Sequence, residues 1–252
     1  MSALHLVTGA AGLIGHALVL RLLAQDERVI ALDSDRKGGL DDLVVLAARH
    51  PGRLEVVRAD LARDPAALAL ALDGRRCDTI AHLAAIVGVQ YVADHPYETL
   101  EVNLRSTLHL LDQALRSGCR ALLFASSSEN YAFGVGTGAT PLPTPEDVAI
   151  GIAGPELPRW SYAASKIAGE AAVFAAAREG GFTPLVVRFH NVYGPRMPPT
   201  HVVPDLLERC ARGEDPLVVR GPEQTRSFLY VEDAARALAR LLARAAPAPA
   251  GV

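Results

Sequence analysis

The chain has little cysteine, few aromatic residues and no excess of charge of either sign. Its 252 residues include three cysteines, at positions 77, 119 and 210, and none of them forms a CxxC pair. Disulfide frameworks and metal sites are therefore not expected, and a reducing cytoplasm is the predicted setting. The net charge of −3 gives no electrostatic reason to expect nucleic acid or an anionic membrane as a partner.

Long hydrophobic runs are also missing. No stretch approaches the roughly 20 apolar residues of a transmembrane helix, so none is expected. Residues 1–14 are apolar but lack a basic leader and are interrupted by glycines, which indicates a buried strand entering a turn and not a signal peptide. Half of the residues are hydrophobic, which is enough for a sizeable core.

Short apolar runs alternate with longer helical patterns along most of the chain. The predicted strands cover 4–8, 28–33, 54–59, 79–83, 121–126 and 185–190. The predicted helices cover 13–25, 40–49, 65–72, 99–117 and 162–179. Apolar strands without strict alternation, separated by helices, predict an α/β fold with a doubly wound parallel (Rossmann) sheet.

Two segments depart from this alternation. Residues 134–158 are rich in Gly, Pro and Thr and predict a long loop over the C-terminal edge of the sheet. From residue 192 the pattern gives a helix near 204–212, a short strand at 217–220 and a final helix from 232 to about 246. We therefore expect a Rossmann domain over 1–191 and a small substrate lobe over 192–252.

A glycine-rich turn follows the first strand, with the sequence TGAAGLIG from Thr8 to Gly15. Such a turn lets the backbone bend sharply and approach a pyrophosphate, which the N-terminus of the next helix then binds. Asp33 ends the second strand, where its carboxylate can accept hydrogen bonds from the adenosine ribose and would repel a 2′-phosphate. NAD is thus the predicted cofactor, although Arg36 and Lys37 follow closely and leave NADP as an alternative. Asp60, at the end of the third strand, fits either an adenine contact or a helix N-cap.

Tyr162 and Lys166 are four residues apart at the start of a predicted helix and should project from the same face. An ammonium beside the phenol would lower the pKa of the phenol, which could then take a proton from a sugar hydroxyl. The serines 126–128 end the fifth strand, at the sheet edge where such folds place their sites.

Several motifs occur in the order found in one family. They are TGAAGLIG, the HLAA of 82–85, NLRSTLHLLDQA, SSSENY, YAASK, RFHNVYGPR and QTRSFLYVEDAA. Together they resemble the extended short-chain dehydrogenase/reductases, in the NAD-dependent epimerase/dehydratase group that modifies nucleotide sugars.

The resemblance implies roles for particular residues. Ser127, four residues before Tyr131, matches the catalytic serine, and Tyr162 and Lys166 match the base and its helper. The implied cofactor-binding residues are Gly9, Gly12, Leu13, Ile14, Gly15, Asp33, Asp60, Leu61, Leu83, Ala84, Ala85, Asn103, Tyr162 and Lys166. Asn103 matches an asparagine that braces the active-site helix. The implied substrate-binding residues are Ser127, Ser128, Asn191 and Arg226, the last two for the diphosphate.

The family oxidises the sugar at carbon 4, and the resulting ketone permits epimerisation, dehydration or decarboxylation before NAD is regenerated. Glu129 resembles the glutamate that dehydratases and uronic-acid decarboxylases place after the serine, where it could move a proton at carbon 5; a surface acid paired with a neighbour is the alternative. The neighbouring Ser128 favours the decarboxylase or epimerase subgroups, because dehydratases carry Asp there.

Two other functions stay open on the sequence. One is a simple NAD-dependent dehydrogenase of a free sugar or polyol, and the other is a catalytically silent NAD-binding regulatory module.

Family members are usually dimers through the helices that carry Asn103 and Tyr162, so a homodimer is expected. His190 is interpreted as a core histidine. The sequence after VEDAARA is shorter than is normal in the family, so the sugar pocket is expected to be small, or completed by other parts.

Overall fold

Six parallel strands form the central sheet of the computed structural model, which describes residues 2–219 and 221–245. In chain order they are β1 (Leu4–Thr8), β2 (Arg28–Asp33), β3 (Leu54–Arg58), β4 (Thr79–His82), β5 (Ala121–Ser127) and β6 (Thr183–Phe189). Their order across the sheet is β3-β2-β1-β4-β5-β6. The chain reverses direction across the sheet between β1 and β4, and open parallel sheets bind ligands in the crevice at such a point. The predicted doubly wound fold is confirmed.

Helices cover both faces of the sheet, as its apolar strands require. They are α1 (Leu13–Leu23), α2 (Leu40–Arg49), α3 (Pro65–Leu72), α4 (Val89–Asp94), α5 (Pro96–Ser117), α6 (Ala132–Gly136), α7 (Ser161–Gly180), α8 (Val202–Ala211) and α9 (Val231–Ala245). Helices α3, α5 and α7 contribute to one hydrophobic core, and α1, α2 and α9 contribute to the other. None of the helices in the described residues is both long and apolar enough to span a membrane.

Helix α9 packs in the core of the sheet although it lies beyond residue 191. Leu238 and Leu242 are each 1% exposed and belong to the same core as Leu18 and Val19 of α1. The apolar stripe of α9 thus covers the sheet face that α1 leaves open. The division into two domains at 191/192 stays a prediction, with the sheet core extending across it through this helix.

The region between β6 and α9 differs most from the prediction. A two-stranded parallel sheet, β7 (Asn191–Tyr193) with β8 (Phe228–Tyr230), was not predicted, because three-residue strands are too short to show a period. The predicted strand at 217–220 is wrong for residues 217–219, which are irregular, and Arg220 lies outside the described residues. Arg209 donates a hydrogen bond to the Val218 carbonyl at 2.7 Å, so a side chain and not a strand partner holds this segment. The final helix is described to Ala245, one residue short of the predicted end.

The predicted loop over 134–158 begins inside α6 and is irregular from 137 to 157. Its backbone is tied to the end of β5, because the Gly151 amide donates to the Asn130 carbonyl at 3.0 Å. Arg188 of β6 donates to the Glu146 carbonyl at 3.2 Å. The loop therefore lies at the carboxyl ends of β5 and β6, where it was expected.

Candidate active site

The glycine-rich turn between β1 and α1 forms a close-packed cradle. Gly9 has φ +69°, and a Cβ on it would lie 2.6 Å from the Ala84 nitrogen at the end of β4. A Cβ on Gly15 would lie 2.1 Å from the Gly9 carbonyl oxygen. Gly12 is the N-cap of α1 and makes no side-chain cap bond. The unpaired backbone N–H groups of the first turn of α1 therefore begin at a turn of glycine and alanine, which fits a pyrophosphate.

Asp33 lies directly beside this turn. Its Oδ2 accepts a hydrogen bond from the Ala11 amide at 3.0 Å, and its Oδ1 accepts one from the Asp35 amide at 2.8 Å. Each carboxylate oxygen keeps a further lone pair for a ribose hydroxyl. The end of β2 therefore supplies an adenosine-ribose acceptor next to the pyrophosphate cradle.

Asp60 follows β3 and accepts a hydrogen bond from the Ala62 amide at 3.0 Å. The N-cap of α3 is Asp64, which accepts from the Ala67 amide at 3.1 Å, so the alternative of Asp60 as the helix cap is wrong. Asp60 keeps a partly exposed carboxylate available for a ligand. Leu61 beside it is buried, and its carbonyl accepts from His109 Nδ1 at 2.7 Å.

The fold brings Ser127, Tyr162 and Lys166 together at the carboxyl end of β5. Ser127 is the last residue of β5, and the other two lie in the first two turns of α7. The Lys166 ammonium donates to the Ala125 carbonyl at 2.7 Å and lies 5.7 Å from the centre of the Tyr162 ring. Interaction with the Ser127 side chain lowers the pKa of the Tyr162 phenol, which places the two hydroxyls beside each other. The three residues thus form one cluster of proton-transfer groups.

The expectation that Lys166 lowers the pKa of the Tyr162 phenol needs correction. Burial raises the pKa of Tyr162, the negative charge of Glu129 raises it further, and only the Ser127 hydrogen bond lowers it. Burial also lowers the pKa of Lys166 to about 8. The chain by itself therefore holds the phenol protonated, and the positive ring of NAD is what would favour the phenolate when bound.

Glu129 lies in the 3₁₀ helix Ser128–Tyr131 that follows Ser127. Its amide donates to Ser127 Oγ at 3.1 Å, so the serine hydroxyl also orders the turn that carries the glutamate. Burial raises the pKa of Glu129, and the charge of Arg159 lowers it by less. Among the described residues Glu129 has no ion-pair partner within 4.0 Å, which disfavours the paired surface acid. Ser128 beside it is half-buried.

A buried polar network behind Ser127 was not predicted. Arg188 of β6 donates to both oxygens of Glu170, at 2.9 and 2.7 Å. Ser126 and Asn130 donate to Oε1 of the same glutamate at 2.5 and 2.9 Å. Burial raises the pKa of Glu170, but these hydrogen bonds outweigh it and the pKa is lowered. The sequence holds one feature that could have pointed to Glu170 as part of the site: it follows Lys166 by four residues and so lies on the same face of the same helix.

Asn103 connects three parts of the site. Its Oδ1 accepts from the Ile86 amide at 2.7 Å, and its Nδ2 donates to the Ile86 carbonyl and to Ser165 Oγ, both at 3.2 Å. It is 3% exposed. Asn103 therefore fixes the segment after β4, including Leu83, Ala84 and Ala85, against α7.

The predicted diphosphate residues lie at the β7–β8 edge. Asn191 pairs with Phe228, and its Nδ2 donates to the Ser227 carbonyl at 3.2 Å. Arg226 is exposed, and its guanidinium donates to the Thr225 carbonyl and to Gln224 Oε1 at 2.7 and 2.9 Å. Both side chains are therefore near the same strand pair. His190, expected in the core, is exposed, because β6 ends one residue before it.

A family model for the NAD-dependent epimerase/dehydratase family matches residues 5–251. The chain belongs to this family. The predictions of family, fold class and NAD as cofactor are thereby confirmed. Within the described residues of this family member, no group of three or more His, Cys, Asp or Glu side chains is arranged to hold a metal ion.

Similar proteins in the family modify UDP-sugars. A UDP-N-acetyl-α-D-glucosaminuronate decarboxylase from Bacillus cytotoxicus is 32% identical over 235 residues, which are 92% of this chain and 68% of that protein. A UDP-glucose 4-epimerase from Mycolicibacterium smegmatis is 33% identical over 239 residues, 93% of this chain and 72% of that protein. The structure of UDP-glucose 4-epimerase with UDP-glucose from Thermotoga maritima superposes with a TM-score of 0.79 at 28% identity, covering 93% of this chain and 71% of that one. The chain thus spans about two thirds of the length of such relatives.

Proposed function

We propose that this chain carries the active site of a nucleotide-sugar-modifying enzyme that oxidises the sugar at carbon 4 and returns the hydride, so that NAD is recycled. The observation that carries the proposal is the cluster of Ser127, Tyr162 and Lys166 beside the cofactor cradle. The UDP-sugar relatives and the position of Asn191 and Arg226 support a diphosphate-bearing substrate over a free polyol.

When bound in the glycine-turn cradle beside Asp33, NAD would supply the hydride acceptor for carbon 4. Tyr162 takes the proton of the 4-hydroxyl, and Ser127 shares the hydrogen bond of the same oxygen. Lys166 is fixed by its hydrogen bond to the Ala125 carbonyl, 5.7 Å from the centre of the Tyr162 ring, where its ammonium would hold the ribose hydroxyls next to the nicotinamide. The ketone that results acidifies the neighbouring C–H bonds and weakens the bond to a carboxylate at carbon 5.

Among the possible outcomes we propose decarboxylation of a nucleotide-linked uronic acid, as a lyase. Glu129 supports it, because burial raises the pKa of its carboxyl and a glutamate that can hold a proton beside the sugar can deliver one to carbon 5. A 4-epimerase, an isomerase, is the second candidate, and it is favoured by the likeness to UDP-glucose 4-epimerases.

Replacing Glu129 with Gln is expected to reduce turnover by about 10²- to 10⁴-fold, the usual contribution of a general acid or base. The same change removes a negative charge near Tyr162 and so lowers the pKa of its phenol. We therefore expect the first oxidation to survive, with NADH absorbance accumulating and its pH dependence shifted to lower pH. Glu156→Gln, in the exposed part of the loop over 137–157, is the matched control. Wild-type turnover in Glu129→Gln would contradict the role in proton transfer.

The reaction is tested by incubating the protein with UDP-, GDP-, CDP- and dTDP-sugars, uronates included, and following products by mass spectrometry and NMR. Loss of the mass of carbon dioxide indicates the decarboxylase, and loss of water indicates a dehydratase. Unchanged mass with altered couplings indicates the epimerase. Stoichiometric NADH from a free sugar or polyol would indicate a simple dehydrogenase, and tight NAD binding without turnover would indicate a silent module.

The expected homodimer is proposed through the outer faces of α5 and α7, which pack against each other. Leu108 of α5 and Phe174 of α7 are 50% and 48% exposed, so both helices present a large apolar side chain that a partner could cover. Light scattering at micromolar concentration is expected to give the mass of a dimer, and Leu108→Glu is expected to give a monomer. Leu70→Glu on α3, where the leucine is 78% exposed, should leave the dimer intact. A monomeric wild type would refute the proposal.

The cytoplasmic setting stays a prediction.

A further inference from the structure

Four cationic residues lie at or just after the ends of β2 and β3, near Asp33 and Asp60 in the chain. They are Arg36, Lys37, Arg58 and Arg63. Guanidinium groups near the end of the second strand are what a Rossmann fold uses to bind the 2′-phosphate of NADP. The sequence alone therefore leaves open whether the site also accepts NADP.

Carboxylates pair with each of the three arginines. Arg58 lies 2.6 Å from Asp35, and Arg63 lies 3.6 Å from Asp60. Arg36 lies 2.9 Å from Oε1 of Glu98, which is 62 residues away in sequence, on α5. Arg58 pairs with an acid of its own sheet edge, whereas Glu98 on α5 pairs with Arg36 and also lies 3.9 Å from Arg63.

Several contacts hold Arg36 in place. Its guanidinium also donates to the Tyr91 hydroxyl and lies 5.0 Å from the centre of the Tyr91 ring. That hydroxyl donates in turn to the second oxygen of Glu98 at 2.6 Å. The hydrogen bonds from Arg36 and then Tyr91 lower the pKa of Glu98 to about 2, so the acid stays ionised at any working pH. The guanidinium is therefore both neutralised and fixed in one orientation.

Lys37 is poorly placed to replace Arg36. Its ammonium lies 3.5 Å from the Val87 carbonyl, on the opposite side of the crevice from its own loop. Burial lowers the pKa of Lys37, and the nearby charge of Arg36 lowers it further. A phosphate beside Asp33 would thus meet a carboxylate while Arg36 is already occupied by another.

We propose that Glu98, with Tyr91, is a specificity-determining residue that selects NAD over NADP by holding Arg36 away from the position of a 2′-phosphate. The proposal concerns the cofactor alone and does not depend on which sugar reaction the site performs. Glu98 contacts Arg36, Tyr91 and Arg63, so it acts by positioning other residues. Removing its charge frees a guanidinium three residues after Asp33.

The test is isothermal titration calorimetry of the full chain with NAD and with NADP, without sugar, after charcoal treatment to remove bound nucleotide. In Glu98→Gln the affinity for NADP is expected to rise about tenfold, because a freed guanidinium can bind phosphate. The affinity for NAD is expected to stay within about threefold, since Asp33 keeps its two backbone hydrogen bonds. Glu98→Ala serves the same purpose if the Gln variant does not fold.

Two further variants test whether a gain in NADP affinity comes from the release of Arg36. Glu101→Gln on the same helix removes the same charge from an acid that pairs with Arg105 at 3.1 Å, and it is expected to change neither affinity. The double variant Arg36→Ala with Glu98→Gln is expected to return NADP binding to the wild-type level. An unchanged NADP affinity in Glu98→Gln would overturn the proposal. So would an equal gain in Glu101→Gln, or a gain that persists without Arg36.

Discussion

Tyr162→Phe is expected to reduce turnover by about 10³-fold or more while NAD affinity stays within about threefold of wild type. The phenol is the group assigned to take the substrate proton, because the Lys166 ammonium is bonded to the Ala125 carbonyl and Ser127 Oγ accepts from the Glu129 amide. The ring itself still packs at the start of α7 when the hydroxyl is removed. Turnover is measured with the substrate found in the nucleotide-sugar panel, and binding is measured by calorimetry.

The control for this change is Tyr97→Phe on α5. Tyr97 is 78% exposed, so the loss of its hydroxyl should alter neither turnover nor NAD binding. An active Tyr162→Phe enzyme would refute the proposed proton transfer. Loss of NAD binding in the same variant would instead mean that the tyrosine holds the cofactor.

Gly15→Ala is expected to lower NAD affinity at least about 100-fold, which is about 2.7 kcal/mol. The new methyl group would lie 2.1 Å from the Gly9 carbonyl oxygen and 2.9 Å from Ala10 Cα, and both are backbone atoms that cannot rotate away. The turn must therefore open, and the N–H groups that face the pyrophosphate move with it. Overpacking of this kind also costs about 1–3 kcal/mol of unfolding free energy, which thermal denaturation would show.

Gly136→Ala on α6 is the matched control, because nothing lies within 4 Å of the position of its Cβ. Gly136 is the last residue of α6 and its φ is not positive, so alanine is tolerated there, and this variant should bind NAD normally and unfold no earlier than wild type. If Gly15→Ala bound NAD as tightly as wild type, the cradle assigned to the pyrophosphate would be in the wrong place.

The sheet could be predicted because its four central strands, β1, β2, β4 and β5, are almost wholly buried. The bounds of β1 and β2 agree with the predicted ones to the residue, and all five residues of β1 are buried. Continuous apolar runs bounded by turn residues carry this information locally. Three short segments could not be predicted: α4, the β7–β8 pair and the irregular residues 217–219. Each contains too few residues to show the periodicity of a helix or a strand, and each depends on contacts with distant parts of the chain.

The candidate site also has one part that the sequence predicted and one part that it did not. Family motifs and strand ends pointed to Ser127, Tyr162 and Lys166, and the structure brings these residues together. The ion pair of Glu170 with Arg188 had no comparable signal, because its members lie 18 residues apart on a helix and a strand. Such contacts follow from packing and not from spacing along the chain.

The sequence by itself determined the doubly wound sheet and the glycine turn with Asp33, and its family motifs predicted Ser127, Tyr162 and Lys166 as the proton-transfer residues. The sheet and the turn are each encoded by a local pattern, either of burial or of a backbone that tolerates only glycine. The tertiary structure alone decided the pKa values and the ion pairs of the site. It raises the pKa of the Tyr162 phenol through burial and the charge of Glu129, and it pairs Arg36 with Glu98 across the crevice. Charge interactions depend on distance and on exposure to solvent, and neither is fixed until the chain has folded.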